Sequence, residues 1–520
     1  MADAGDKIYK ESLDVFYGGI SDDARIQKPE VFQVAQHFDI WTNPKALTPY
    51  RDMEADVDIT TKAYKIDGFA YENSGLWGIG RKSGGTKNKV YQKTTGSSIS
   101  SAWAAAPSGE STSSNAFTHV CCIAFHDRLY MDGPIVIDSW GTLDPSGSYT
   151  EAAYSPGGVP ACQGIITTDD LLIIPILPAG LAVKDGAGSG PTDAWSTPIS
   201  FPNNRQIRDL CEWGDFVAIA MHPGGGYNGQ IGSKVFLWDK ASSDPSHVID
   251  WGEGHLLILE NIEGTLIGVS QIGYGEEGII KQKLVVRQYT GGDAAEVIFE
   301  LEGDGGSGMA VWPNLAKVKD GNRLIFGVKF TKDGVSYNQL AAIGRKTSSY
   351  PWSFTLDRLV DNQNAITEID AAFKLGQTVF VAYNGDGSIN RTDDSANYTT
   401  STYISQKRNG SSVVQDAARR RKVLAMAGVL TELLTSGQSV SLYCRRDAGT
   451  WELIRTYTYG DDATPGLVPA NMGFEAGKLA DGTDFSNWKE IEFKATSAGG
   501  AKITGIPFAW KFAGADTLSE

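Results

Sequence analysis

Four carboxylates occupy alternate positions, Asp52, Glu54, Asp56 and Asp58, separated by Met53, Ala55 and Val57. Side chains alternate along a strand, so all four would share one face and could offer Ca²⁺ several oxygen ligands. The same alternation describes an ordinary solvated strand face, and that is the preferred reading. Asn384-Gly-Asp-Gly-Ser-Ile-Asn resembles the first half of a calcium loop. It lacks the distal Glu and lies where a hairpin is expected, so it reads as a turn. Gly224-Gly-Gly-Tyr-Asn-Gly-Gln-Ile-Gly has the glycines of a phosphate cradle, but Ser233-Lys234 follows it and opens a strand rather than a helix. The histidines, His37, His119, His126, His222, His247 and His255, show no H-E-x-x-H spacing. No Gly-x-Ser-x-Gly supports a Ser-His-Asp site. Acid pairs for glycoside hydrolysis come from distant parts of a chain, and an acidic chain always offers candidates. No catalytic, cofactor-binding or metal-ligating residue is therefore assigned, and no cofactor is expected.

Arg419, Arg420, Arg421 and Lys422 form the one basic run. They read as the start of a strand meeting acidic neighbours or an acidic partner surface, with nucleic-acid contact as the alternative. The formal charge of −16 argues against general nucleic-acid binding. The five cysteines, Cys121, Cys122, Cys162, Cys211 and Cys444, have no metal spacing, and the first two are adjacent. They read as reduced, buried small hydrophobes. The first residues, Met1 to Tyr9, are polar and acidic and do not look like a signal peptide. No apolar run reaches the length of a membrane span. Asn390, Asn397 and Asn409 sit in Asn-x-Ser/Thr sequons that are expected to be unmodified in a chain made in the cytoplasm.

What must position these residues is a set of short strands. Gly contributes 60 of 520 residues, and aromatics make up 10%. Glycine supplies positive φ for tight turns, and aromatic and β-branched side chains suit half-buried pleated surfaces. A repeated unit runs through the first 400 or so residues: an apolar strand, a polar turn, and a second strand that opens on a large apolar residue. The openings are Leu76, Leu129, Leu171, Phe216, Leu266, Leu324 and Val379. Their spacing of about 40–60 residues is that of a four-stranded propeller blade. Leu171-Leu-Ile-Ile and Phe216-Val-Ala-Ile-Ala are continuous apolar runs, as a strand covered on both faces requires. The expected fold is all-β: a propeller of about seven blades over 31–392, with six or eight also open, after an extension at 1–30. Val31 to Trp41 is the expected closing strand, beside Ser388 to Thr392. Gly96 to Asn115 reads as a long loop, and 393–402 as a linker.

Residues 403–520 change pattern. Lys422–Ala427, Ser439–Arg446 and Trp451–Arg455 are strand-like, and Ile506, Phe508, Trp510 and Phe512 alternate on one face of the last strand. Pro507 points to an edge position or a strand start. Together they suggest a small antiparallel β-sandwich.

Two stretches carry a resemblance. One is Phe16-Tyr-Gly-Gly-Ile-Ser-Asp-Asp running on to Phe38-Asp-Ile-Trp-Thr-Asn-Pro. The other is Arg421-Lys-Val-Leu, Ser439-Val-Ser-Leu-Tyr-Cys-Arg-Arg-Asp, Trp451-Glu-Leu-Ile and Trp488-Lys-Glu-Ile-Glu-Phe-Lys-Ala. Over about a quarter of the chain, the sequence resembles virion proteins of tailed bacteriophages in which a degenerate propeller precedes a β-sandwich. The resemblance implies a non-enzymatic tail or surface component of the virion, a nozzle or hub, a decoration or a fibre attachment. It would be made in the host cytoplasm and would assemble with other virion proteins and with copies of itself. Two other readings stand beside it. A host-receptor or glycan-binding protein would use rim aromatics such as Trp103, Trp140, Trp195 and Tyr227. A polysaccharide-degrading propeller enzyme would place two carboxylates about 5–10 Å apart in a cleft.

Overall fold

The computed structural model describes residues 8–16, 18, 20, 32–43, 45–56, 64–72, 75–82, 88–94, 103–110, 122–126, 128–131, 141–143, 149–150, 164–176, 180–186, 195–202, 204–223, 232–276, 279–304, 310–311, 316–332, 334–358, 360, 366–385, 387–414, 417–460 and 487–513. The chain is all-β, with one short 3₁₀ turn, Ala417–Arg419, among the described elements. It divides into two compact units. One, the ring unit, comprises Met53–Leu340 and Leu359–Thr392. The other, the terminal unit, comprises Met1–Asp52, Ala341–Arg358 and Asp393–Glu520. The cut between Thr392 and Asp393 falls where the propeller expected from sequence ends, whereas the boundaries expected at residues 30 and 402 do not appear in this division.

The ring unit is a run of antiparallel meanders. Sheet A holds Tyr64–Glu72, Gly75–Lys82, Asn88–Thr94 and Ala104–Glu110. Sheet B holds Cys122–Phe125, Arg128–Met131, Gly141–Leu143 and Tyr149–Thr150. Sheet C holds Ile166–Thr168, Leu171–Ile176, Gly180–Asp185 and Ser196–Ser200. Sheet D holds Arg205–Trp213, Phe216–Pro223, Ser233–Trp238 and His247–Gly252. Sheet E holds His255–Ile262, Thr265–Glu276, Ile279–Tyr289 and Glu296–Glu302. Sheet F holds Lys317–Asp320, Arg323–Lys332 and the first part of Val335–Gly344, with Ala310–Val311 at its margin. Sheet G holds Ile369–Leu375, Thr378–Tyr383, Ser388–Asn397 and finally Arg51–Ala55. The first strand of each sheet lies against the first strand of the next, and that of G lies against that of A. This closed succession is the arrangement of a β-propeller.

Each first hairpin turns in two residues, and every anchor residue expected from the repeat opens or nearly opens the second strand. Such tight turns need positive φ. Asp169 and Asp170 adopt φ of 47° and 63°, and Glu263 and Gly264 adopt 50° and 81°. The second strands are buried because sheets pack on both of their faces. Ile173 and Leu181 of sheet C meet Ile207, Val217 and Ile219 of sheet D in one cluster. Ala218 and Leu237 of sheet D meet Leu256 and Leu266 of sheet E in another.

Three expectations change. The closing strand is Arg51–Ala55, not the segment 31–41: Asp56 N donates to Ile389 O at 2.9 Å, while Phe32–Gln36 pairs with Ser401–Ser405 in the terminal unit. Gly96 to Asn115 contains the outer strand Ala104–Glu110, because an outermost strand needs a partner on one side only and tolerates weak β-formers. Residues 393–402 are not a linker, since Ser388–Asn397 and Ser401–Ser405 run through them as paired strands.

In the terminal unit, Tyr9–Leu13, Ile503–Phe512 and Lys422–Ala427 form one sheet, with Leu430–Thr431 also on Ile503–Phe512. A second sheet runs Ser353–Leu356, Phe32–Gln36, Ser401–Ser405, Ile491–Ala498, Ser439–Arg446 and Glu452–Thr458. Phe493 of the second meets Phe508 of the first at 4.8 Å between centroids. Pro507 is not at an edge or a strand start. It sits within Ile503–Phe512 where pairing passes from Lys422–Ala427 to Leu430–Thr431, so no ladder bond there asks for its missing N–H, and its carbonyl accepts from Gly428 N at 2.9 Å.

The closure of the ring carries a buried ion pair. Lys93 Nζ in sheet A donates to Asp56 Oδ1 at 2.5 Å with both side chains fully buried, and Trp103 Nε1 donates to Asp56 Oδ2 at 2.8 Å. Removing one partner strands the other charge. Asp56→Ala is expected to lower stability by about 3–5 kcal/mol, read as a shifted urea midpoint; a midpoint within error of the native chain would refute the role given to this pair.

Candidate functional site

The first strands of the ring unit enclose a cavity of about 330 Å³. Gly68 and Phe69 of sheet A, Cys122 of B, Thr167 of C, Asp209 and Cys211 of D, Glu260 of E, Lys317 of F and Phe373 of G all contribute to its wall. First strands line it because the first strand of each sheet lies against that of the next, so together they surround one space.

Its chemistry centres on Lys317. The ammonium donates to Asp209 Oδ2 at 2.6 Å and to the Leu259 carbonyl at 2.8 Å, and lies 3.3 Å from Glu260 Oε2. Asp209 is fully buried and also accepts from Leu210 N at 2.9 Å and Leu259 N at 2.7 Å. Burial alone would lower the Lys317 pKa, but the carboxylates of Asp209 and Glu260 outweigh it and hold the group above the ordinary lysine value. Lys317 therefore stays an ammonium at neutral pH and offers no free amine for attack or proton abstraction. Burial, reinforced by Glu260, pushes the Cys211 thiol well above its usual value, so it is held as a thiol rather than as the nucleophilic thiolate. The group ties sheets D, E and F together.

Comparable ties recur between other neighbours. Lys240 of sheet D pairs with Asp169 at the first turn of sheet C. Lys374 of G pairs with Asp320 of F, which Arg323 also holds. At the junction of G and A, Lys65 Nζ meets Asp370 at 2.6 Å, Glu368 at 3.0 Å and Asp67 at 4.0 Å. One ammonium there faces three carboxylates. Burial first, then Glu368, raises the Asp370 pKa to about 6, against the pull of Lys65 and the Gly385 N–H.

The residues singled out from sequence are placed as follows. The alternating carboxylates are neither a solvated face nor a calcium site among the described residues. Asp56 is buried against Lys93 and Trp103, Asp52 is buried, and Glu54 pairs with Arg391; Asp58 lies outside the described residues. No cluster of His, Cys, Asp or Glu suited to a metal occurs among the described residues. Asn384 to Asn390 forms the expected hairpin, with φ of 62° at Asn384 and 66° at Gly385. Residues 224–231, Cys121, Cys162, Trp140 and Tyr227 lie outside the described residues. Cys122, Cys211 and Cys444 are free thiols. Trp103, expected on a rim, is buried, and Trp195 packs edge-on to Tyr130 at 6.5 Å. Asn390 is buried, with its amide donating to Val360 O, so its sequon is out of reach. Arg419, Arg420 and Arg421 are exposed, and Lys422 is buried. The lysine ties were missed: a lone Lys near a strand end is a common surface residue, and its partner lies a whole sheet away in sequence.

No family model and no curated protein matches the chain. Similar solved structures include the N-terminal domain of Nup159 (10% identity, TM-score 0.37, covering 66% of this chain and 94% of that one). YjhT (12%, 0.36, covering 56% and 97%) and BamB from Moraxella catarrhalis (12%, 0.35, covering 64% and 84%) are others. Similarity at this level carries no functional reading. No helix among the described residues is long and apolar enough to cross a membrane.

The Asp370 shift gives a signed pH dependence. The group is harder to ionise in the folded chain than in the unfolded one, so its contribution is full below about pH 4 and is lost as pH rises through about 6. Melting temperatures of the native chain and of Asp370→Asn, taken between pH 4 and 7, should differ in slope across that window. Parallel curves would count against the assignment. Iodoacetamide should leave Cys211 unlabelled in the folded chain and label it in denaturant; rapid labelling of the folded protein would show that the thiol is not held protonated.

Proposed function

We propose that the chain is a non-enzymatic structural protein of a tailed-bacteriophage virion, with a seven-bladed propeller as a rigid disc and a β-sandwich as its contact module. It would act by assembly with other virion proteins and with copies of itself, as a nozzle or hub, a decoration or a fibre attachment.

The observation that carries this reading is where the two resembling stretches lie. They come from opposite ends of the chain and fall in the same compact unit. Phe16 packs edge-on against Tyr403 at 5.4 Å, and Tyr9–Leu13 pairs in register with Ile506–Trp510. Phe38, Trp41, Trp488 and Phe493 are all buried there. The residues on which the resemblance rests thus lie in one compact unit. The cavity adds support, because its charged groups are engaged with one another across sheets. Lys317, Asp209 and Glu260 work there as ties rather than as a poised acid, base or nucleophile.

Mass spectrometry and electron microscopy of gradient-purified particles test the proposal. The chain should be present in fixed stoichiometry, with density for a disc and a small β module. A chain found in infected-cell lysate but absent from purified particles would overturn it. Incubation with host-envelope polysaccharide should release no reducing ends, and release would overturn the non-enzymatic part.

A further inference from the structure

Acidic residues greatly outnumber basic ones in the ring unit, whereas in the terminal unit the two nearly balance. Within the terminal unit Arg419, Arg420 and Arg421 are all exposed, and none pairs with a carboxylate among the described residues. Their backbone is held in place. Arg420 N donates to Ala417 O at 3.1 Å, and Ala513 N donates to Arg421 O at 3.1 Å. The buried Lys422 Nζ grips Arg420 O at 2.8 Å and Lys489 O at 3.0 Å while lying over the Trp488 ring. The Arg420 guanidinium rests 3.7 Å from the Phe512 ring centre. Exposed apolar side chains lie nearby in sequence, Val413 at 45% and Met426 at 38%. The strand that follows the arginines, Lys422–Ala427, is the last of its sheet.

The ring unit carries a surface of opposite character. Glu296–Glu302 is the outermost strand of sheet E and pairs on one side only. Glu296 and Glu302 are exposed on it, as is Glu300, which pairs with Lys283 at 3.1 Å, and Glu296 accepts from Gln288 Nε2 at 3.3 Å; Val297 is 51% exposed. Charges on an outer strand ordinarily keep identical edges apart. An acidic edge that repels another acidic edge still accepts a basic one.

We propose that copies of this chain dock head to tail, the Arg419–Arg421 run of one copy seating on the Glu296–Glu302 strand of the next. The proposal rests on the assembly reading above and gives it a contact surface. The Arg420 guanidinium, already resting on Phe512, loses little freedom on meeting a carboxylate, and the contact would cover Val297, Val413 and Met426. Because the two surfaces differ, the contact either closes into a ring or runs on as a filament.

Sedimentation velocity on the whole chain tests it. The native protein should self-associate at about 0.05 M salt and weaken roughly tenfold or more at about 0.5 M, as screening demands. R419E/R420E/R421E alone and E296K/E302K alone should each be monomeric with native melting temperatures. Mixing them should restore association, since the swapped charges meet. A native chain that stays monomeric at low salt, variants that associate as the native chain does, or a mixture that stays monomeric would overturn the proposal. So would loss of binding to a DNA duplex in the triple-arginine variant with unchanged self-association, which would assign the run to nucleic acid. Self-association is read on purified protein, so its failure is distinct from absence of the chain from particles.

Discussion

The ring unit depends on one junction, where sheet G meets sheet A. From A to F the sheets follow one another in chain order, and between F and G the chain passes only through Ala341–Arg358 of the terminal unit. At the junction of G and A the two sheets come from distant parts of the sequence, and closing so long a loop costs conformational entropy that local contacts must offset. An apolar cluster does most of this, with Ile66, Phe69, Leu76, Tyr91 and Trp103 of A against Ala371, Phe380, Ala382 and Ile389 of G. Two ionic groups, Lys93 with Asp56 and Lys65 with Asp370, fix its register. The closing strand Arg51–Ala55 adds backbone hydrogen bonds and brings Asp56 into reach of both Lys93 and Arg391.

The cavity at the axis follows from the same geometry. Buried charges are expensive unless each is paired and hydrogen-bonded, and their pairing favours one arrangement over near alternatives. Lys317 satisfies that requirement with two carboxylates and a carbonyl drawn from sheets D and E. The groups that give the cavity its polarity are therefore those that keep the sheets in order. Lys240 and Lys374 repeat the arrangement farther out, each reaching from its own sheet to an aspartate at a turn of the preceding one.

The terminal unit solves a different problem. Its core is aromatic, with Trp510 stacked on Tyr9 at 4.7 Å and set edge-on to Trp488 at 6.4 Å. A lysine sits inside this group. Burial lowers the Lys422 pKa to about 8, and two backbone carbonyls and two indole faces stand in for water. The same lysine sets the backbone from which three arginines project, so a buried polar anchor and an exposed basic surface are adjacent in sequence and opposite in environment.

The sequence by itself determined the local periodicity. Apolar runs at Leu171 and Phe216, two-residue turns at Asp169-Asp170 and Gly214-Asp215, and the alternation of Ile506 to Phe512 act through neighbouring residues, so they specify strands and hairpins without reference to the rest of the chain. Only the tertiary structure decided which strand closes the ring, where Pro507 sits, and what Asp56, Lys93, Lys317 and Asp209 do. A carboxylate on an alternating strand has the same local pattern whether it faces water or a buried ammonium. What separates the two cases is a partner from another sheet, and that partner is set by packing across the whole ring rather than by any neighbour in sequence.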